Sequence, residues 1–158
     1  MDITEPVITR DQILLLDDPS FKAENICIVT GVSGGIGRAT ALACSVNGMH
    51  VVGLDVNLEE GKNTVQMAKA LGANMTFLST DLTDDHQIEE AVNKASDLGQ
   101  VKYLANIAGI QHIDSVENFP MEKYDLMQKI MLRAPFYLSK LTIPLMKKSC
   151  DGIGVIGN

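Results

Sequence analysis

The sequence predicts a doubly wound α/β domain, in which a parallel sheet carries helices on both faces. Three observations predict it. Short apolar runs of four or five residues recur along the chain. Stretches with apolar residues at helical spacing separate them. The runs end in polar or glycine-rich turns. Parallel strands joined by helical crossovers are covered on both faces, so they read as continuous apolar runs. A length of 158 residues suits one domain with a substantial core.

The elements follow in order. Residues 1–24 are polar and mixed, apart from the apolar patch Ile13 to Leu16. This predicts an N-terminal arm that packs through the patch as one or two helical turns. Ile26 to Val29 is the first strand, and Gly35 to Asn47 the first helix. His50 to Leu54 is the second strand, ending at Asp55. Leu58, Gly61, Val65, Ala68 and Leu71 step at helical spacing. Met75 to Leu78 is the third strand, ending at Asp81. Ile88, Ala91, Val92, Ala95 and Leu98 form the stripe of the next helix. Val101 to Ala105 is the fourth strand, ending at Asn106. Met127, Ile130, Met131, Ala134, Leu138, Leu141 and Leu145 line one long helix, and Ile153 to Ile156 begins a fifth strand. Residues 25–158 thus form one domain behind the arm.

Composition excludes several functions. Lys and Arg number 13 against 20 Asp and Glu, a net charge of −7. Nucleic acids and anionic membranes both need clustered basic residues, so neither is expected as a partner. No apolar run approaches the roughly 20 residues of a membrane span. The first residues show no basic flank followed by an apolar segment, so no secretory signal is expected. Cys27, Cys44 and Cys150 fit neither a zinc spacing nor a disulfide framework. They read as buried or idle thiols of a reducing, cytoplasmic environment. His50, His86 and His112 lie on different elements, so no metal site is expected. His86 reads as a polar residue at a helix start.

The chemistry lies in the turns after the strands. Thr30-Gly31-Val32-Ser33-Gly34-Gly35-Ile36-Gly37 joins the first strand to the first helix. Glycines at 31, 35 and 37 remove Cβ atoms where a turn is tight and where backbone must approach a pyrophosphate. The helix start presents free N–H groups and the positive end of a dipole to that anion. Asp55 lies 24 residues after Gly31 (55 − 31), at the end of the second strand. A carboxylate there accepts hydrogen bonds from ribose hydroxyls. It also repels a 2′-phosphate, and Val56-Asn57-Leu58 bring no cation to hold one, so NAD is expected over NADP. Asp55 could instead cap the following helix, a role open to Asn57 as well.

The Thr-Gly-x-x-x-Gly-x-Gly form of this turn resembles the short-chain dehydrogenase/reductase family. Asp81-Leu82 resembles the family's adenine-contacting acid and its neighbour. Asn106-Ile107-Ala108-Gly109 resembles its Asn-Asn-Ala-Gly turn, and Pro144-Leu145-Met146 the end of its long helix. The resemblance covers roughly residues 25–158. It implies a Rossmann-type sheet of order 3-2-1-4-5, with later strands beyond this sequence. It places Gly31, Ser33, Ile36 and Gly37 along the pyrophosphate. Asp81 and Leu82 fall at the adenine, and Asn106, Ala108 and Gly109 beneath the nicotinamide ribose. The segment from Gly109 to Asp125 is similar to the D-3-hydroxybutyrate dehydrogenase branch. There the Gln of Gly-Ile-Gln-His meets a substrate carboxylate, which implies that role for Gln111. A protonated His112 could add a charge-assisted bond. Both could equally be solvated loop residues, or His112 could cap a turn. The long helix resembles the family's dimer or tetramer interface, so a homodimer or homotetramer is expected.

Two departures bear on activity. The family's catalytic Ser and Tyr-x-x-x-Lys pair would follow Asn158. Tyr103, Tyr124 and Tyr137 do not replace that pair, since only Tyr137 has a nearby Lys, Lys140, three positions on. Met131 stands where the family usually has an Asn that helps hold a proton-relay water. Pro135, four residues later, removes the N–H that would bond the Met131 carbonyl, so the helix should kink. Either the freed carbonyl binds that water, or Met131 is core packing and Pro135 starts a new helical segment.

The expectation is therefore an NAD-dependent short-chain alcohol dehydrogenase acting on a small 3-hydroxy acid such as 3-hydroxybutyrate. These 158 residues should bind NAD without turnover. The alternative is a catalytically inactive NAD-binding sensor or subunit module. A methyltransferase shares a glycine loop and an acid after strand two, but the glycine spacing and the Asn-Ile-Ala-Gly turn disfavour it.

Overall fold

The computed structural model describes residues 7–149 and 152–158. Five strands form one sheet: β1 (Asn25–Thr30), β2 (His50–Asp55), β3 (Met75–Ser79), β4 (Gln100–Ala105) and β5 (Val155–Gly157). Their order is β3-β2-β1-β4-β5 and every pairing is parallel. Ile28, in the middle of β1, pairs with Val52 on one side and Leu104 on the other. All six residues of β1 are buried, as a central parallel strand requires.

The helices are α1 (Gly35–Val46), α2 (Leu58–Ala70), α3 (Asp85–Leu98), α4 (Met121–Gln128) and α5 (Ala134–Lys148). Side chains along β1 alternate between two cores. Cys27 and Val29 join Ala41 and Leu42 of α1 and Ala68 of α2. Ile26 and Ile28 join Ile88 and Ala91 of α3 and Leu138 of α5. Caps start the crossover helices. The Asn57 side chain accepts from the Glu60 N–H at 3.2 Å, and Asp84 accepts from the His86 N–H at 2.9 Å.

Two expectations need correction. The long helix is not continuous. A π turn over Lys129–Arg133 separates α4 from α5, and the Ala134 N–H bonds the Lys129 carbonyl, five residues back. Pro135, near the start of α5, cannot donate a helical bond, and the extra residue in the turn takes up the mismatch. Met131 lies in this turn and is 50% exposed, so it is not core packing.

The arm also differs. Its helical turn is 3-10 and falls at Arg10–Gln12, before the apolar patch. Leu14, Leu15 and Leu16 are exposed. The Asn47 amide explains this. It accepts from the Leu16 N–H at 2.8 Å and donates to the Leu14 carbonyl at 3.0 Å, which pins the segment by its backbone. The arm also attaches through Arg10, which donates to the Leu71 carbonyl at 2.7 Å. Cys150 lies outside the described residues.

Candidate functional site

The carboxyl ends of β1 to β4 open on a cleft of about 580 Å³. Its floor is the β1–α1 turn. Gly31 has φ +76°, a conformation side chains rarely adopt, and donates its N–H to the Leu54 carbonyl at 2.8 Å. A Cβ on Gly31 would lie 2.9 Å from the Ala108 Cα, and one on Gly37 would lie 2.0 Å from the Gly31 carbonyl oxygen. The first turn of α1 is thus pressed against the start of the loop. The first backbone bond closing into α1 runs from the Arg38 N–H to the Gly34 carbonyl. The N–H groups of Gly35, Ile36 and Gly37 precede it and have no helical acceptor, which suits an anion.

Side chains hold this turn from three directions. The buried Thr30 hydroxyl oxygen accepts from the Ile107 N–H at 2.9 Å and the Ala108 N–H at 3.0 Å. It clamps the turn after β4 beside the glycine loop. Asp55 accepts from the Ser33 N–H and from the Asn57 N–H, each at 3.0 Å. A carboxylate has about four lone-pair sites, so two stay available to ligand hydroxyls. Asn57 takes the cap of α2, which leaves Asp55 at the cleft wall. Arg38 is 3% exposed. It donates to the Ser33 carbonyl at 2.5 Å, to the Thr64 hydroxyl at 3.0 Å and to Glu60 at 2.5 Å, which ties the loop to α2. The Asn63 and Arg38 bonds hold the Glu60 carboxyl below its usual range.

Most of the expected cofactor residues converge here. Gly31, Ile36, Gly37, Asp55, Asp81, Leu82, Ala108 and Gly109 all line the cleft. Asp81 accepts from the Thr83 N–H and hydroxyl through one oxygen, both at 2.8 Å. Ser33, Gly35 and Asn106 do not line the cleft. The Ser33 hydroxyl donates to the Asn57 carbonyl at 3.0 Å. Asn106 bonds β5 instead: its N–H donates to the Gly157 carbonyl and its amide nitrogen to the Asn158 side chain, at 2.9 and 2.8 Å. Its other amide atom, Oδ1, is buried without a partner among the described residues.

Gln111 and His112 lie just past Ile110, the last residue of that turn to reach the wall. Gln111 is exposed. The half-buried His112 ring meets Phe119 edge-on at 5.3 Å, and its Nε2 is buried without a partner among the described residues. Met131 lies over the same turn, its Cε 3.8 Å from where a Gly109 Cβ would be. Tyr137 donates to Glu89, and that bond followed by burial raises its phenol above the usual range. Arg133 beside it pairs with Asp85.

Sequence reasoning missed Thr30, Arg38, Val56, Thr80, Leu126 and Ile130. Thr30 had a signal, a hydroxyl at the end of an apolar strand. The contribution of α4 and the π turn had none, because it depends on how that segment folds back over β4.

These features match a known family. The sequence profile of the short chain dehydrogenases matches residues 25–156. The chain belongs to that family. An uncharacterized oxidoreductase of Bacillus subtilis is 32% identical over 130 residues, covering 82% of this chain and 51% of the relative. The D-beta-hydroxybutyrate dehydrogenase of Cupriavidus necator is 33% identical over 128 residues, covering 77% of this chain and 47% of that enzyme. The chain spans about half the length of the curated relatives it matches. Among solved structures, an NAD+-bound xylitol dehydrogenase superposes with a TM-score of 0.77 at 26% identity, covering 85% of this chain and 52% of that one. A metagenomic short-chain oxidoreductase in complex with NADP shares the fold, with a TM-score of 0.80 at 24% identity, covering 87% of this chain and 62% of that one. Among the described residues, no helix is long and apolar enough to cross a membrane.

Proposed function

We propose that these residues form the NAD-binding part of an alcohol dehydrogenase acting on a small 3-hydroxy acid. One observation carries the choice of NAD: Asp55 stands at the cleft wall and, among the described residues, no Lys or Arg lines it. Arg38, a buried cation of α1, is engaged by Ser33, Thr64 and Glu60. A 2′-phosphate would meet a carboxylate without compensation. Gly31 and Gly37 would let backbone approach the pyrophosphate, Asp55 would hold the ribose, and Gly109 would underlie the nicotinamide end. The cofactor itself supplies the hydride chemistry.

Fluorescence titration with NADH and NADPH tests this reading. NADH should bind at least roughly tenfold more tightly, a difference of about 1.4 kcal/mol. Equal or tighter binding of NADPH would overturn it. A 3-hydroxy acid is supported by the likeness to D-beta-hydroxybutyrate dehydrogenase and by the amide of Gln111, a neutral donor suited to a carboxylate. Reduction at a carbonyl needs a phenol poised to exchange a proton near neutral pH. Glu89 pushes Tyr137 the other way, so Tyr137 does not suit that role.

A homo-oligomer is supported by the apolar face around the π turn. Leu132 is 66% exposed and Phe136 71%. Sedimentation should give a dimer or larger for the wild-type chain and a smaller particle for Phe136→Asp. Unchanged mass in the variant would remove this face from the interface.

A further inference from the structure

Behind the nucleotide cleft, a second cavity of about 630 Å³ opens between α1, β4 and β5. Cys27 of β1 and Cys44 of α1 both line it, with Met49, Tyr103 and Val155. The two thiols are 17 positions apart in sequence (44 − 27), yet they are neighbours, because α1 packs back over the strand it leaves. Both also belong to one apolar cluster, Cys27 within it and Cys44 packed against it. The neighbouring Cys44 and then burial raise the Cys27 thiol, and Cys27 lowers the Cys44 thiol against the opposing effect of its burial. Cys27 is 2% exposed, whereas Cys44 is half-buried at the cavity wall. One sulfur is therefore reachable from the cavity and the other is buried in the same cluster.

We propose that Cys27 and Cys44 form an oxidisable dithiol, a modification site for hydrogen peroxide. The Cys44 thiolate attacks one peroxide oxygen and the O–O bond breaks. Hydroxide leaves and takes a proton to become water, and Cys44 becomes a sulfenic acid. The Cys27 sulfur then attacks the Cys44 sulfur. The S–O bond breaks, the oxygen leaves as a second water with the Cys27 proton, and the disulfide forms. Two thiols are oxidised by two electrons in all, and one peroxide is reduced to two waters. The product ties α1 to β1, the two elements that the glycine loop joins. The assignment does not depend on which nucleotide the cleft holds.

The experiment uses the full chain carrying Cys150→Ser, so that one thiol pair remains. After peroxide treatment, intact mass should fall by two hydrogens and both cysteines should resist alkylation. Dithiothreitol should restore both. In the further variant Cys44→Ser, Cys27 should stay reduced and alkylate only on unfolding. With Cys27→Ala, Cys44 should stop at the sulfenic acid and be trapped by dimedone. The proposal is overturned if Cys44 goes to sulfinic acid while Cys27 stays a thiol, or if the only disulfide joins two chains. It is overturned equally if neither thiol reacts.

Discussion

The turn between β1 and α1 has almost no slack, whereas the segment from Ile110 to Arg133 has a great deal. Both border the same cleft. In the first, backbone touches backbone: there is no room for a Cβ at Gly31 or Gly37. Its polar groups are tied to Asp55, Arg38 and Leu54. In the second, Ile113, Val116 and Met131 are exposed, and no residue of α4 is buried. One wall is built before any ligand arrives. The other offers side chains without fixing them. A pyrophosphate is the same in every dinucleotide and rewards a rigid cradle, while a substrate wall can vary and close later.

The sharpest way to break the contrast is Gly37→Ala. The new methyl would overlap the Gly31 carbonyl, a backbone atom that cannot swing aside. A loss of at least about 3 kcal/mol in stability is expected, with NADH binding abolished. Gly34→Ala is the control, since nothing lies within 4 Å of its added Cβ and its φ of −177° suits any residue. It should melt within a degree or two of wild type, on the usual scale of neutral substitutions. If both variants melt alike, the steric account of the loop is wrong.

Thr30→Val comes next, and it tests the link between the two walls. Valine keeps the shape but removes the acceptor for the Ile107 and Ala108 N–H groups. Leaving partly buried donors unpaired should cost about 2 kcal/mol. In urea the midpoint should fall while the slope stays the same. NADH should bind more weakly, because the turn carrying Ala108 and Gly109 loses its anchor. A midpoint equal to wild type would mean that water replaces the hydroxyl without penalty.

This contrast also explains what the sequence made legible. Strand positions could be read because a parallel sheet buried on both faces favours apolar runs; β1 and β2 have them, and β3 and β4 are interrupted only by Thr76 and Lys102. The cradle could be read because tight backbone leaves glycine at fixed spacing, with Asp55 at the end of the next strand. Ser33 and Asn106 show the limit. Both sit within recognisable motifs, yet their side chains bond Asn57 and Asn158, and only the folded geometry decides that. The π turn was hidden for another reason. One inserted residue shifts the hydrogen bonds by one place but keeps Ala134 and Leu138 on the buried stripe. Hydrophobic spacing therefore cannot distinguish a continuous helix from a widened one. Pro135 announced an irregularity, though not its form. The Cys27 and Cys44 pair was invisible because its spacing fits no motif, and only the packing of helix on strand brings the sulfurs together.

The smallest effect should come from the loose wall, at Gln111. Its side chain is exposed and makes no hydrogen bond among the described residues, so Gln111→Ala should leave melting unchanged. If the amide meets a substrate carboxylate, the variant should bind 3-oxobutyrate to the NADH-loaded chain about fivefold more weakly, a loss of about 1 kcal/mol. NADH alone should bind as before, because Gln111 does not line the nucleotide cleft. Calorimetry on the NADH complex separates the two. Equal 3-oxobutyrate affinity in wild type and variant would strip Gln111 of its substrate role while leaving the cradle untouched. Weaker NADH binding in the variant would show that the segment after β4 folds over the cofactor as well. The two walls would then differ in when they become rigid, before the ligand or with it, and no longer in what they hold.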